Sequence, residues 1–367
     1  MTSIRATMLV KHPHHSDPES DACIDALKSS LWVVCMVSNP ARFKSRYALY
    51  RRFRYHITHD LHMNLLTVEV ALGDREHQVI TVTHDETVTS GIEHGVRVID
   101  VRKSNASQVW LKENAWNAGA SHLPASCKYI IFSDADIKFC NLNIATETIH
   151  ALQIHHIVQP FETCADMGPT GQIMNVHRSF GYCNAQGWQW KPVVSKSNGG
   201  YATSAKPDGV PPGSAAVFGQ LWHPGFCLAM RKSDLDTLPL LETAILGAGD
   251  HHMCAALIGK AEWSLPDHIG ETYKRAVLKW QSAAHGVYKD NFGYVPGTIQ
   301  HEFHGAKSSR KYISRWDILT KNAYDPDTHI TKNSQGILEL SSEAPPALRD
   351  GIRVYFAQRN EDTLTLE

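Results

Sequence analysis

Apolar residues fall in short blocks separated by polar turns, and the blocks change character along the chain. Leu31-Trp32-Val33-Val34-Cys35-Met36-Val37 is apolar throughout, the mark of a strand covered on both faces. Ser38-Asn39-Pro40 breaks it, and Pro40 suits the first turn of a helix over 41–56 that gathers Phe43, Tyr47, Tyr50 and Phe53 on one side. Strands are predicted over 65–72, 79–82 and 96–101, then a helix over 109–122 that Pro124 ends, then a strand over 128–133. Farther on, 226–231 reads as a strand, 253–258 as helical, 299–304 as a short apolar run and 308–321 as a basic helix. The last predicted helix covers 347–359 and packs Ile352, Tyr355 and Phe356. Strands alternating with helices predict an α/β fold with a mostly parallel twisted sheet flanked by helices.

Domain organisation follows from where this alternation stops. Residues 1–28 are polar and proline-interrupted, which predicts a flexible arm; its His12-Pro13-His14-His15 lacks the acids or cysteines that would make it a metal site. Residues 29–325 form the predicted main domain, divided into a 29–160 half and a 216–325 half. Between them, 160–215 is glycine-rich, carries Trp188, Trp190 and Tyr201, and ends in Pro211-Pro212-Gly213. A long irregular segment inside a domain is usually functional, so it is expected to be an acceptor-side flap. Residues 326–367 are an extension bearing the last helix.

Composition narrows the partners. In 367 residues, 36 Lys and Arg balance 37 Asp and Glu, so no global field draws in nucleic acid or anionic membrane. The apolar runs are too short to span a bilayer. Eight cysteines are scattered without paired spacing, which predicts reduced thiols in a cytoplasmic protein.

The candidate chemistry begins where the 128–133 strand ends in Asp134-Ala135-Asp136. A buried strand excludes charge, so both acids emerge at its carboxyl end, where open α/β sheets place their ligand crevices. Side chains at i and i+2 of an extended segment point the same way, so both can reach one hard divalent cation. The same residues could also form a solvated acidic turn. Two later stretches carry further acids and imidazoles: Gly247-Ala248-Gly249-Asp250-His251-His252, and Gln300-His301-Glu302-Phe303-His304-Gly305 with Arg310, Tyr312 and Arg315 beyond. Lys307, Arg310 and Arg315 suit a diphosphate, or else a solvated helix face. Ser38, Arg42 and Glu69, near the ends of the first two strands, are candidates for base and ribose contacts. Trp222-His223-Pro224-Gly225-Phe226 is a candidate wall for sugar or acceptor, with His223 facing the site.

Taken in this order, these stretches resemble the GT-A fold glycosyltransferases (the nucleotide-diphospho-sugar transferase fold), including galactosyltransferase-like and family 2-like members, over residues 30–320. The resemblance implies a DxD-type motif at Asp134 and Asp136 that binds Mn²⁺, or Mg²⁺ as runner-up, together with a UDP-sugar. It further implies Asp250 as the acceptor-side base and His304 as the residue completing the metal shell, with His301 competing. That family commonly has a Glu-Asp pair where this chain has Gly249-Asp250, so His251 is a candidate to share the base's work. The 110–119 stretch is similar to the family helix whose amides face the nucleotide, which implies Asn114 and Asn117 there. The resemblance makes 29–325 the catalytic domain, with 29–160 as its nucleotide-binding half and 216–325 as the half that completes the acceptor and metal sites, and the implied function is transfer of a hexose, glucose or galactose, to a hydroxyl with inversion. The acceptor is open among glycan, lipid-linked sugar, protein and hydroxymethylated DNA. A nucleotidyltransferase and a non-catalytic nucleotide-sugar-binding protein are the rival readings.

Overall fold

The computed structural model describes residues 28–79, 96–188, 190, 193–195, 200–202, 221–312 and 314–365. The N-terminal arm, most of the 79–82 strand and much of the proposed flap lie outside these residues. A seven-stranded sheet forms the centre. Its strands in chain order are β1 Leu31–Ser38, β2 Asn64–Leu72, β3 Val96–Lys103, β4 Tyr129–Ser133, β6 Ile157–Gln159, β11 Cys227–Arg231 and β12 Phe292–Tyr294, arranged as β12-β6-β11-β4-β1-β2-β3. All neighbours are parallel except β11, which runs antiparallel to both β4 and β6. The expected mixed α/β architecture, a large and mostly parallel sheet between helices, is what the chain forms.

Alternation along β1 explains why both faces are covered. Val34 points into one core cluster and Val33 and Cys35 into the other. The first cluster lies under α2 Lys112–Ala120, α6 Gly249–Leu257 and α7 Glu271–Tyr288; the second lies under α1 Lys44–Tyr55 and α3 Ile144–Ile154. Helix α2 sits so close to the sheet that a Cβ at Gly119 would come within 2.8 Å of Val68 Cγ2. Among the described residues, the seven cysteines are free thiols, and no helix is long and apolar enough to cross a membrane.

A second, four-stranded sheet is mounted beside the first. It orders β5 Ile137–Phe139, β13 Thr298–His301, β7 Thr163–Met167 and β8 Ile173–Arg178. The first part of the presumed flap is therefore a β-hairpin followed by α4 Phe180–Ala185, and 193–195 and 200–202 pair as the short strands β9 and β10. The hairpin reads poorly in the sequence because glycines at 168 and 171 serve its turn rather than an irregular loop.

Three helix boundaries also differ from expectation. Asn39 Oδ1 accepts from Phe43 N and its Nδ2 donates to Phe43 O, while Arg42 takes φ 63°, so α1 starts at Lys44 rather than in the turn after Pro40. The basic 308–321 segment is a 3₁₀ turn, Lys307–Arg310, and a separate α8 Trp316–Lys321, because Lys311 adopts φ 45° and ends the first turn. The terminal helix α9 runs Pro346–Gln358 and buries Leu348, Ile352, Tyr355 and Phe356, starting on a proline at its first turn. A short α5 Lys232–Thr237 follows β11, and strands β14 Ile330–Lys332 and β15 Leu338–Leu340 pair ahead of α9.

Candidate active site

The turn after β4 is clamped at both ends. Asp134 N donates to Phe226 O and Glu302 N donates to Asp136 O, each at 2.8 Å, tying it to the start of β11 and the end of β13. His301, the last residue of β13, lies opposite Ile137 of β5 and Asp166 of β7 in register. Three residues on, His304 returns to the same spot. Asp136, His301 and His304 each offer one ligand atom within 4.8 Å of the others. Asp136 Oδ2 is 3.1 Å from His304 Nε2, Asp136 Oδ1 is 3.9 Å from His301 Nε2, and the two Nε2 atoms are 3.2 Å apart.

Which of these atoms carries a proton follows from their other partners. His301 Nδ1 lies 2.7 Å from Asp166 Oδ1, and Asp166 Oδ2 meets His177 Nε2 at 2.5 Å and the Lys307 ammonium. Burial opposes ionisation of Asp166, but hydrogen bonds from His177 and His301 outweigh it and hold the carboxyl well below its usual range. An ionised carboxylate only accepts, so His301 donates from Nδ1, and in the neutral ring Nε2 is the nitrogen with the lone pair. A guanidinium only donates, and Arg310 Nη2 is 2.9 Å from His304 Nε2, so that nitrogen too is an acceptor. Asp136 is likewise ionised: burial raises its pKa, but His304, then His301 and Arg310, outweigh it. His304 is pushed down to about 4, by burial first and then by Arg310, against the pull of Asp136. One Asp136 oxygen and the two Nε2 atoms thus face one another within 4.8 Å, and with both rings neutral all three offer lone pairs. Asp136 Oδ1 is buried without a hydrogen-bond partner. An oxygen with two imidazoles suits a first-row divalent cation.

A second group of charges forms the opposite wall. Lys112, 6% exposed at the start of α2, places Nζ 2.8 Å from Asp250 Oδ2 and 3.6 Å from Asp134 Oδ1. Gly247 and Ala248 both adopt left-handed backbone, φ 88° and 78°, and set Asp250 in the first turn of α6. Such a conformation is strained for alanine, and strain of this kind gathers at functional sites. Burial pushes Asp250 up, but Lys112 outweighs it and holds the carboxyl below its usual range. For Asp134 burial wins over Lys112, and its carboxyl rises to about 6. Glu113 is buried against Gly249, where a Cβ would stand 2.5 Å from its carboxyl carbon; burial lifts Glu113 to about 7 despite Lys112. His251 borders Asp250, packs on Trp190 at 5.6 Å, and is lowered to about 4 by burial.

These walls enclose a cleft of about 510 Å³. Arg46, Lys307, Arg310, Arg315 and Arg359 line it as a cationic rim, with Trp110, Trp116 and Tyr312 between them. Glu361 sits beneath, its carboxylate 2.6 Å from both Arg46 Nε and Arg359 Nε.

The structure gathers many of the sequence candidates here and sends others elsewhere. Asp134, Asp136, His223, Asp250, His251, His301, His304 and Arg310 all line the cleft. His301 and His304 do not compete; both face Asp136. Asp134, expected to share the ion, turns toward Lys112 and is no part of the triad. His223 stacks on Phe226 at 4.1 Å, whereas Trp222 goes into the core against Phe180.

Asn114 and Asn117 are corrections. Asn114 donates to Gly336 O and Glu242 and accepts from Leu338 N; Asn117 donates to Leu240 O and Glu242 and accepts from Leu240 N. Their shared helix face meets protein loops, not the cleft. Glu69 Oε1 accepts from Val79 N, among other bonds, and clamps the chain after β2. Ser38 ends β1 without lining the cleft, and Arg42 is exposed in its left-handed turn. Lys112, Asp166, Arg46, Arg359 and Glu361 carry no local signal: Lys112 meets Asp250, Asp166 meets His301 and Arg46 meets Glu361 across 138, 135 and 315 positions, and the Arg359–Glu361 pair, two positions apart, shows its place only once it lies under Arg46.

No family model matches this chain, and no curated protein matches it. Among solved structures it is similar to the 1–349 portion of S. aureus TarS, at 10% identity and a TM-score of 0.29, over 63% of this chain and 55% of that one. It is also similar to mouse xyloside xylosyltransferase 1 in its apo form (11%, TM-score 0.25, 86% and 98%). A third is the 4-diphosphocytidyl-2C-methyl-D-erythritol synthase of Anaerococcus prevotii (9%, TM-score 0.31, 74% and 90%). The matched region spans just over half of the TarS chain. TM-scores this low leave the site to stand on its own geometry.

Proposed function

We propose that this chain is a metal-dependent glycosyltransferase of the GT-A type, moving a hexose from a UDP-sugar to a hydroxyl acceptor with inversion. The observation that carries the reading is the convergence of Asp136, His301 and His304 at the carboxyl end of β4, with one ligand atom from each within 4.8 Å of the others, in a cleft lined by Arg46, Arg310, Arg315 and Arg359. Asp136 and the two imidazoles would hold Mn²⁺, which when bound supplies Lewis-acid neutralisation of a departing nucleoside diphosphate.

The protein's own residues would do the rest. Arg310 and Arg315 line the cleft with Nε buried and without a hydrogen-bond partner, and are the guanidinium groups suited to phosphate oxygens, since Arg46 and Arg359 are held by Glu361. Asp250 takes the proton of the incoming hydroxyl, a role worth roughly 10²–10⁴-fold. Alone with Lys112 it is a weak base. A diphosphate in the same cleft adds negative charge, which draws on Lys112 and raises the proton affinity of Asp250. His251, neutral through its burial, keeps a second positive charge away from that carboxylate.

A donor screen with UDP-glucose and UDP-galactose in Mn²⁺ or Mg²⁺, reading free UDP, tests the reading. Mass analysis of glycan, lipid-linked sugar, protein and hydroxymethylcytosine DNA offered as acceptors then identifies the product. Release of pyrophosphate instead of UDP would replace the reading with nucleotidyl transfer. Donor binding with no turnover would leave a binding protein.

A further inference from the structure

We propose that Glu361 is a positioning residue of the metal centre, brought there by the segment that follows α9. This rests on reading Asp136, His301 and His304 as a cation site. His301 has Asp166 hydrogen-bonded behind its Nδ1 at 2.7 Å, and His304 has a carboxylate from the far end of the chain behind its own, at ion-pair distance and with that oxygen free of any hydrogen bond. Arg310 donates to His304 Nε2, so the ring proton lies on Nδ1, and that atom faces Glu361 Oε2 at 3.9 Å. Both imidazoles are therefore backed by a buried carboxylate, one on β7 and one after α9, with both Nε2 atoms turned to Asp136. Such outer partners fix the tautomer and raise the basicity of a ligating imidazole.

Glu361 is held where it can do this. It is 2% exposed, and Arg46 and Arg359 grip it from two sides. Arg359 in turn donates to Tyr355 Oη and lies 5.0 Å over the Trp110 ring. Asp362 accepts from Lys44 N at 3.0 Å and Ser45 N at 2.8 Å, capping α1. Gly305, next to His304, has φ 89°, and a Cβ there would stand 2.8 Å from Asn360 O. Three consecutive residues thus touch the ligand loop, a ligand histidine and the first turn of α1.

The test measures Mn²⁺ affinity on the full chain by electron paramagnetic resonance, with folding checked by circular dichroism. Glu361→Gln should weaken Mn²⁺ binding about 10- to 100-fold, the range for an outer partner of a metal ligand. Asp362→Asn, which loosens the same segment without facing His304, should stay within about two-fold of wild type, well under that outer-partner range. A folded Glu361→Gln chain with wild-type affinity, or an equal loss in Asp362→Asn, would overturn the proposal. If Glu361→Gln does not fold, hydrogen exchange on the wild-type chain decides: Mn²⁺ should slow the amides of 360–363, and no change there would overturn it. Failure of the wild-type chain to bind Mn²⁺ at all would instead sink the reading of the triad.

Discussion

Lys112 Nζ stands 2.8 Å from Asp250 Oδ2, joining the first turn of α2 to the first turn of α6 across the floor of the cleft. The pair is largely withdrawn from water, with Asp134 and Glu113 close by. Removing Lys112 would leave Asp134, Asp250 and Glu113 close together without that cation. Lys112→Met is therefore expected to lower stability by about 3 kcal/mol, the range for breaking a buried pair. Adding Asp250→Asn should restore part of that loss, with a coupling above about 1 kcal/mol in a urea-unfolding cycle. Simple additivity would show that the two groups do not depend on each other.

Asp136 is the only oxygen donor in the triad, so Asp136→Asn removes the charge that an ion needs there while keeping the side-chain shape. Mn²⁺-dependent UDP release should fall by at least about 10³-fold, several kcal/mol of lost charge stabilisation. The melting temperature should change little. Retained turnover would remove the metal from the reaction.

Asp250→Asn should act on the chemical step rather than on the donor. A fall in kcat of roughly 10²–10⁴-fold with donor affinity unchanged is the signature of a lost base. If kcat holds and only affinity changes, Asp250 serves binding and another group takes the proton.

Gly249 is glycine for steric reasons that only the fold exposes: a Cβ would lie 2.5 Å from Glu113 Cδ and 2.6 Å from its Oε1. Gly249→Ala should lose about 1–3 kcal/mol by overpacking. Glu113→Ala in the same chain should recover some of it, since the clashing carboxyl is then gone. A Gly249→Ala chain as stable as wild type would mean that Glu113 moves aside freely.

Much of this arrangement is legible in the sequence, for reasons particular to each element. The strand that runs into Asp134 and Asp136 is legible because its five residues admit no charge, while the two acids alone fit a solvated turn as well as an ion site. The order of the Asp250 and His301–His304 stretches is equally visible. What a linear reading misses is where a helix face points. Asn114 and Asn117 do share a face, but the loops around Leu240 and Leu338 cover it. Arg46 reads as one of many surface cations until Glu361, 315 positions later, is folded beneath it. Asp166 and His177 look like ordinary strand polars until β13 aligns His301 with them.

His252 offers a pH test whose sign can be worked out. It is fully buried; Ser264 Oγ spends its proton on Ala261 O and so accepts from His252 Nδ1 at 2.7 Å, leaving Nε2 to accept from Tyr273 Oη at 2.9 Å. The neutral ring is thus fully satisfied, and burial lowers its pKa from 6.5 to about 3. A histidine with a depressed folded pKa contributes stability that is complete above the unfolded value and is lost as pH falls from 6.5 toward 3, because the unfolded chain binds the proton first. In that window Asp134 and Glu113, with raised pKa values, work in the opposite direction, so the wild-type curve alone does not isolate the ring. The difference between wild type and His252→Gln does. The penalty for the substitution should be greatest near pH 7.5 and shrink by on the order of 2 kcal/mol by pH 4.5 in urea unfolding. A penalty independent of pH would mean that the ring is already protonated in the folded chain, or exposed enough to titrate normally.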